Sequence, residues 1–184
     1  VTVQEGLRQS AALKVLAEAT DFGLDELTAA ARGEDALGLP RYARGRSEGF
    51  LFPATYNIEP DTTPESLLSE MVGTFDQVAS DIDLEGRARE VGLTPYQVVI
   101  VASIIQAEAR HAEDFPKVAR VIYNRLDRDI RLQMDSTVHY AVRKSGEVTT
   151  TAKDRQSSSR YNTYRYTGLP PGPLASTPLE TSTA

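Results

Sequence analysis

Glu108 stands near the end of the segment VVIVASIIQAEARHAED, residues 98–114, after ten nearly unbroken apolar positions. At helical spacing it lies seven, four and three residues beyond Val101, Ile104 and Ile105, so it falls on their stripe and its side chain turns partly inward. Shielding a carboxyl from water favours its protonated form, the state from which a general acid near neutral pH begins. The same position also suits an end-of-core ion pair with Arg110, Arg120 or Arg125, and spacing alone leaves both readings open. Two polar groups lie further along. One is a turn carrying Gln133, Asp135, Ser136 and Thr137; the other is SRYNTYRYTGLPPGPLAS, with Tyr161, Asn162, Tyr164 and Tyr166 ahead of a Gly-Pro turn. Tyrosine and amide side chains pair apolar ring faces with in-plane hydrogen bonds, which is what a sugar ring offers in return. The tyrosine alternation equally suits a half-buried strand. His111 and His139 stand far apart and form no spaced ligand set, so no metal is implied.

The elements that must hold these groups are legible in part. Thr94, Pro95 and Gln97 supply an N-cap, a first-turn proline and the reciprocal capping partner, which fixes where the apolar helix starts. Asp114 and Pro116 open a following helix with Val118, Val121, Ile122 and Leu126 inward. Before these, Thr63, Pro64 and Glu65 begin a helix with Leu67, Leu68, Met71, Val72 and Phe75 on one side. At the start of the chain, VTVQEG reads as a short alternating strand with a glycine turn. A helix over LRQSAALKVLAEAT follows, and then one over DFGLDELTAAARG, begun by Asp21 or Asp25 and ended near Gly33. The Gly- and Pro-rich stretch LGLPRYARGRSEGFLFPATYNIEPDTTP reads as extended chain with turns and carries the boundary between two domains.

Composition limits what these groups can do. The chain has 184 residues, 40% of them hydrophobic, enough for one ordinary domain and a small second one. Its net charge is −6 with scattered basic residues, which argues against a nucleic-acid partner. No cysteine occurs, so disulfides, thiolate metal sites and cysteine nucleophiles are excluded. No apolar run approaches the roughly 20 residues of a spanning helix, and VTVQEG has none of the regions of a signal peptide, so the chain reads as a soluble protein or fragment.

The series EGFLFPATY, ASIIQAEA, VARVIYNRL, LQMDSTVHYA and YNTYRYTGLPPGPLA, in this order and across most of the chain, resembles the YceG-like endolytic murein transglycosylases. The resemblance implies an α+β chain: a small LysM-like α/β module over residues 1–58, then a mainly helical, lysozyme-like catalytic domain with short β segments over 59–184. It implies a bacterial cell-membrane protein, single-pass in its full-length parent, with this region facing the cell wall. The substrate would be the peptidoglycan glycan strand, cut at the MurNAc–GlcNAc bond to leave a 1,6-anhydro-MurNAc end, with cell-wall synthases as partners and no cofactor. Glu108 matches the family's catalytic glutamate and would serve as acid and then as base, without the second carboxylate that most glycosidases use. Relatives often carry two acids in this motif; here the earlier position is Gln106. Glu48, Asn124, Gln133, Asp135, Tyr161, Asn162 and Tyr164 match positions that would contact sugar or peptide. Asp135 could also stabilise positive charge at C1, whereas Glu48 could anchor the domain junction through an arginine and Asn124 could cap a turn.

Relatives usually continue past the LPPGPIA-like motif through a turn and a helix into a last apolar strand, whereas this chain reads LASTPLETSTA, which predicts an exposed edge or a disordered tail. Two rival functions differ in kind. A pyridoxal-phosphate lyase would need a Schiff-base lysine and a phosphate cradle, and none of Lys14, Lys117, Lys144 and Lys153 has a glycine-rich setting. A non-catalytic peptidoglycan-binding scaffold would use the same cleft without turnover.

Overall fold

The computed structural model describes residues 1–33, 36–144 and 149–179. Its helices are α1 (Gln9–Ala19), α2 (Leu24–Ala30), α3 (Pro64–Asp81), α4 (Leu84–Glu90), α5 (Pro95–Glu108), α6 (Phe115–Asp127) and α7 (Asp135–Ala141), with short 3-10 turns at Arg41–Ala43, Ala112–Asp114 and Asp154–Gln156. The expected α+β class is corrected: no strand or sheet forms among the described residues, and no LysM-like α/β module is present. The opening VTV does pair with chain near Thr55, through Tyr56 N to Val1 O at 2.7 Å and Val3 N to Ala54 O at 2.9 Å. Among the described residues that pairing stops at one antiparallel bridge, Thr2 to Thr55.

Two apolar clusters organise the chain, and α3 serves both. Leu67, Leu68, Met71 and Val72 join Leu13, Leu16, Leu27 and Tyr56 in the first cluster. Phe75 and Ala79, about a turn further on, join α5 in the second. The motif EGFLFP does the same over two adjacent residues, since Phe50 enters the second cluster and Leu51 the first. The chain turns here, with Gly49 at φ +88 and the Phe50 N–H donating to Ser47 O at 3.0 Å.

Helix α5 begins as its sequence predicts. Thr94 Oγ1 accepts the Gln97 N–H, and Gln97 Oε1 accepts the Thr94 N–H at 2.9 Å. From Val98 to Ile105 every residue is buried, so the helix is enclosed on all sides rather than along one stripe. Its one polar residue in that run, Ser103, has a packing reason: the hydroxyl donates to Ile100 O at 2.8 Å and accepts the Leu174 N–H at 3.0 Å. The GLPPGPLA loop is thereby tied to the central helix. Two glycines make the same loop fit. Gly49 has φ +88 and lies against Pro173, where a Cβ would stand 2.5 Å from the proline ring. Gly172 sits between the Tyr96 and Tyr161 hydroxyls with no room for a side chain.

Other expectations change in detail. Helix α2 takes its cap from Gly23, whose N–H Glu26 accepts at 2.8 Å, not from Asp21 or Asp25. In α6, Ile122 is buried but Val121 is exposed. The polar turn at Gln133–Thr137 is the entrance to α7, a seven-residue helix that packs on α5. The tyrosine segment forms turns rather than a strand. Asn162 Oδ1 accepts the Tyr164 N–H, and the Ser157 and Ser159 hydroxyls accept the N–H two residues on, which removes the donors a ladder would need. The predicted loose tail is corrected as far as Leu179: Ala175, Ser176, Thr177 and Leu179 are buried, and Ser176 exchanges backbone hydrogen bonds with Gly6 and Leu7 at 2.9 Å. Residues 180–184 lie outside the described residues.

Candidate active site

Helix α5 ends at Glu108 because the next residue, Ala109, turns to extended backbone with ψ 135. The glutamate is half-buried, and its Oε1 accepts the Ser136 N–H at 3.1 Å. Ser136 lies in the first turn of α7, where backbone N–H groups have no partner within the helix. Among the described residues Oε2 forms no hydrogen bond, and Glu108 forms no ion pair with Arg110, Arg120 or Arg125. Arg125 instead donates to Leu132 O, which closes the chain between α6 and α7. One oxygen is therefore anchored and the other is unbonded among the described residues. The Ser136 hydroxyl, buried beside it, also has no hydrogen-bond partner among the described residues.

Gln106 takes a different direction. Two residues earlier on a helix means a different face, and its Nε2 donates to Glu5 Oε2 at 3.3 Å in the opening segment. Thus the motif's two polar positions separate, one toward the start of the chain and one toward α7.

Asp135, the first residue of α7, is occupied by donors. Its Oδ1 accepts the Thr150 hydroxyl and the Tyr164 hydroxyl, each at 2.6 Å, and Arg155 at 3.5 Å; Oδ2 accepts the Thr150 N–H at 3.1 Å. Burial acts to raise its pKa, but the bonds from Thr150 and Tyr164 and the Arg155 charge outweigh burial and hold the carboxyl below the ordinary aspartate range. The Tyr164 hydroxyl is pushed up by burial, by this bond to Asp135 and its charge and, more weakly, by the Glu108 charge, against the lowering effect of Arg155. Below them, Thr163 binds Met134 N at 3.0 Å and the Thr137 hydroxyl at 2.8 Å, fixing the tyrosine segment under α7.

One turn along α7, Tyr140 opens a second region. Its hydroxyl donates to Glu48 Oε2 at 3.0 Å, while Glu48 Oε1 accepts the Gln9 N–H at 2.8 Å at the start of α1. Burial pushes the Glu48 carboxyl up to about 7, against the lowering effects of the Gln9 N–H, the Tyr140 hydroxyl and the Arg8 charge. Glu48 thus joins α1 to α7. It does so through a helix-start N–H and a phenol, with Arg8 contributing only its nearby charge. Tyr140 and Tyr161 stand with ring centroids 4.5 Å apart, and Arg8 lies over the Tyr140 ring at 5.1 Å.

The remaining sequence candidates are placed as follows. Asn162 is fully buried, donating to Arg155 O and Ser157 O at 2.9 and 2.7 Å, so it braces the segment that carries Tyr161 and Tyr164. Gln133 is exposed with φ 52, and its N–H is bound to Thr163 O at 3.1 Å. Asn124 is exposed on α6, and no hydrogen bond joins it to the cluster among the described residues. Glu108, Asp135 and Tyr164 are therefore brought together, while Glu48 and Tyr161 form the neighbouring region around Tyr140. Sequence reasoning missed Tyr140, Thr150, Arg155 and Arg8. Had DSTVHYA been read as a helix, its i, i+4 spacing would have placed Ser136 and Tyr140 on one face.

A helical domain with a singly anchored carboxylate at the end of its central helix, beside hydroxyl and phenol groups, is suited to acid–base work on a polar substrate. The chain belongs to the YceG-like family, whose profile matches residues 1–184. It is 39% identical over 142 residues to the endolytic murein transglycosylase of Streptococcus pneumoniae serotype 2, covering 75% of this chain and 25% of that protein. With the endolytic murein transglycosylase of Bacillus subtilis it shares 39% identity over 129 residues, 70% of this chain and 35% of the relative. The chain thus spans between a quarter and about a third of these relatives. The crystal structure of a yceG-like protein from Listeria monocytogenes superposes with a TM-score of 0.84 at 26% identity, covering 98% of this chain and 64% of that one.

Proposed function

We propose that this chain is the catalytic part of an endolytic murein transglycosylase that cleaves peptidoglycan glycan strands at the MurNAc–GlcNAc bond, on the cell-wall side of a membrane. The observation that carries this reading is the state of Glu108: Oε1 is held by the Ser136 N–H, while Oε2 is unbonded among the described residues and no arginine neutralises the group. The names of the relatives supply the substrate class.

In the proposed reaction, Glu108 Oε2 gives its proton to the glycosidic oxygen as the bond from MurNAc C1 to that oxygen breaks. The GlcNAc leaves with a free 4-hydroxyl. The C6 hydroxyl oxygen of the same MurNAc closes on C1, and its proton returns to Glu108, which is then ready for another cycle. No water is consumed, and one carboxyl serves both steps, in contrast to two-carboxylate hydrolysis. Asp135 is held ionised and contributes negative charge near the positive charge that develops at C1. Its bonds to Thr150 and Tyr164 also fix the surroundings of Glu108. Tyr161 offers a ring face to the strand.

Uncrosslinked glycan incubated with the protein and analysed by mass spectrometry tests the reading. Accumulating 1,6-anhydro-MurNAc ends are expected. Strands that are bound but stay intact would replace it with a peptidoglycan-binding module.

A further inference from the structure

A cleft of about 670 Å³ opens beside Tyr140, between α1 and the far end of α7. That volume lies within the range of ordinary small-ligand sites. Arg8, Lys14 and Arg143 line it, with Glu48, Tyr140 and Tyr161. A chain whose net charge is −6 thus gathers three cations and one acid around a single cavity. Lys14 and Arg143 are exposed, and neither forms an ion pair among the described residues. Arg8 is already oriented: it donates to Lys144 O at 2.7 Å and lies over the Tyr140 ring, and a guanidinium has further N–H groups to offer.

We propose that this cleft binds a carboxylate on the peptide arm of the glycan strand, with Lys14 and Arg143 supplying the attraction and Arg8 a fixed donor at its edge. The inference rests on murein being the substrate. In murein the sugars are neutral and the lactyl carboxyl is tied up as an amide, so the free carboxylates belong to the peptides. Tyr140 is four residues from Ser136, the residue that holds Glu108, so the cleft begins about one helical turn, roughly 6 Å, from the acid's anchor. A sugar at Glu108 can therefore place its own peptide in the cleft. The paired Tyr140 and Tyr161 rings give the peptide an apolar floor. Glu48 opposes an anion only weakly, because both its oxygens are bonded and its carboxyl, pushed up to about 7, is partly protonated at neutral pH.

The test titrates the protein with GlcNAc–MurNAc–L-Ala–γ-D-Glu bearing free carboxylates and with its fully amidated form, read by calorimetry or NMR. The acid form should bind about tenfold more tightly at low salt, and the preference should shrink as salt rises. A Lys14→Glu, Arg143→Asn variant should lose the preference; asparagine is chosen because Arg143 has φ 56, which asparagine tolerates. Lys14→Glu alone, on an exposed face of α1, should reduce it and guards against a folding failure. Equal binding of the two probes, binding of neither, or a preference that survives in both variants overturns the proposal. The readout needs no turnover. Carboxylate-dependent binding by a protein that cleaves nothing would therefore sink the transglycosylase reading alone, while cleavage with equal binding would sink this one alone.

Discussion

The two ends of α7 hold carboxylates in opposite states. At its start, Asp135 accepts from Thr150 twice, from Tyr164 and from Arg155, and is held below the ordinary aspartate range. Near its last turn, Glu48 receives only the Gln9 N–H and the Tyr140 hydroxyl, and burial pushes it up to about 7. Both acids are half-buried. Each has a cation nearby, Arg155 for Asp135 and Arg8 for Glu48, so depth and donor number decide the direction: the Glu48 carboxyl is the more deeply shielded and has fewer donors to offset the cost of removing charge from water. Glu108 differs from both. It accepts a single backbone N–H and keeps one oxygen unbonded among the described residues, the arrangement suited to moving a proton rather than storing a charge.

The largest change should come from breaking the support of the Glu48 end. Gly49→Ala puts a methyl 2.5 Å from Pro173 at a positive φ, and strain plus overpacking should cost about 2–5 kcal/mol, read as a lower midpoint in urea. At the other end, Asp135→Asn replaces an acceptor with a donor and leaves a bond from Thr150 or Tyr164 unmade. About 1–3 kcal/mol should be lost at neutral pH. That substitution should also remove an acid limb: in the native protein the Asp135 contribution is present above the unfolded aspartate pKa and disappears as pH falls through the lower folded value. Glu48→Gln should act with the opposite sign. A raised folded pKa means that the native state holds its proton longer, so native stability falls as pH rises from about 4.5 to about 7. Glu48→Gln should flatten that slope in thermal melts taken across this range. If both substitutions shift the same limb, the contrast between the two ends is wrong.

What the sequence makes legible is local. The Thr94–Gln97 capping box fixes α5, and the apolar side of α3 is readable because one helix satisfies its own pattern. The place of Glu108 at the end of α5 is readable in the same way, since it stands where the apolar run stops. The strand expectations failed for a physical reason. Whether VTV forms a sheet depends on a partner far along the chain, and the tyrosine alternation is overruled by serine and asparagine side chains that capture its N–H groups. Helix α7 was hidden because seven residues with Thr137 and Val138 carry little helical preference without α5 beneath them. The partners that define the site, Ser136 for Glu108 and Tyr140 for Glu48, were therefore out of reach. So were the Gly49–Pro173 and Ser103–Leu174 contacts, which join segments more than 70 residues apart.

The central claim is that Glu108 moves the proton. Glu108→Gln can still accept the Ser136 N–H through its side-chain oxygen but has no acid to give, so the fold and strand binding should persist. Native protein and variant, given the same uncrosslinked glycan, should bind it alike. Mass spectrometry should find 1,6-anhydro-MurNAc ends only with the native protein, with turnover by the variant reduced by about 10²-fold or more. Anhydro ends formed at the native rate by a folded Glu108→Gln variant would contradict the account.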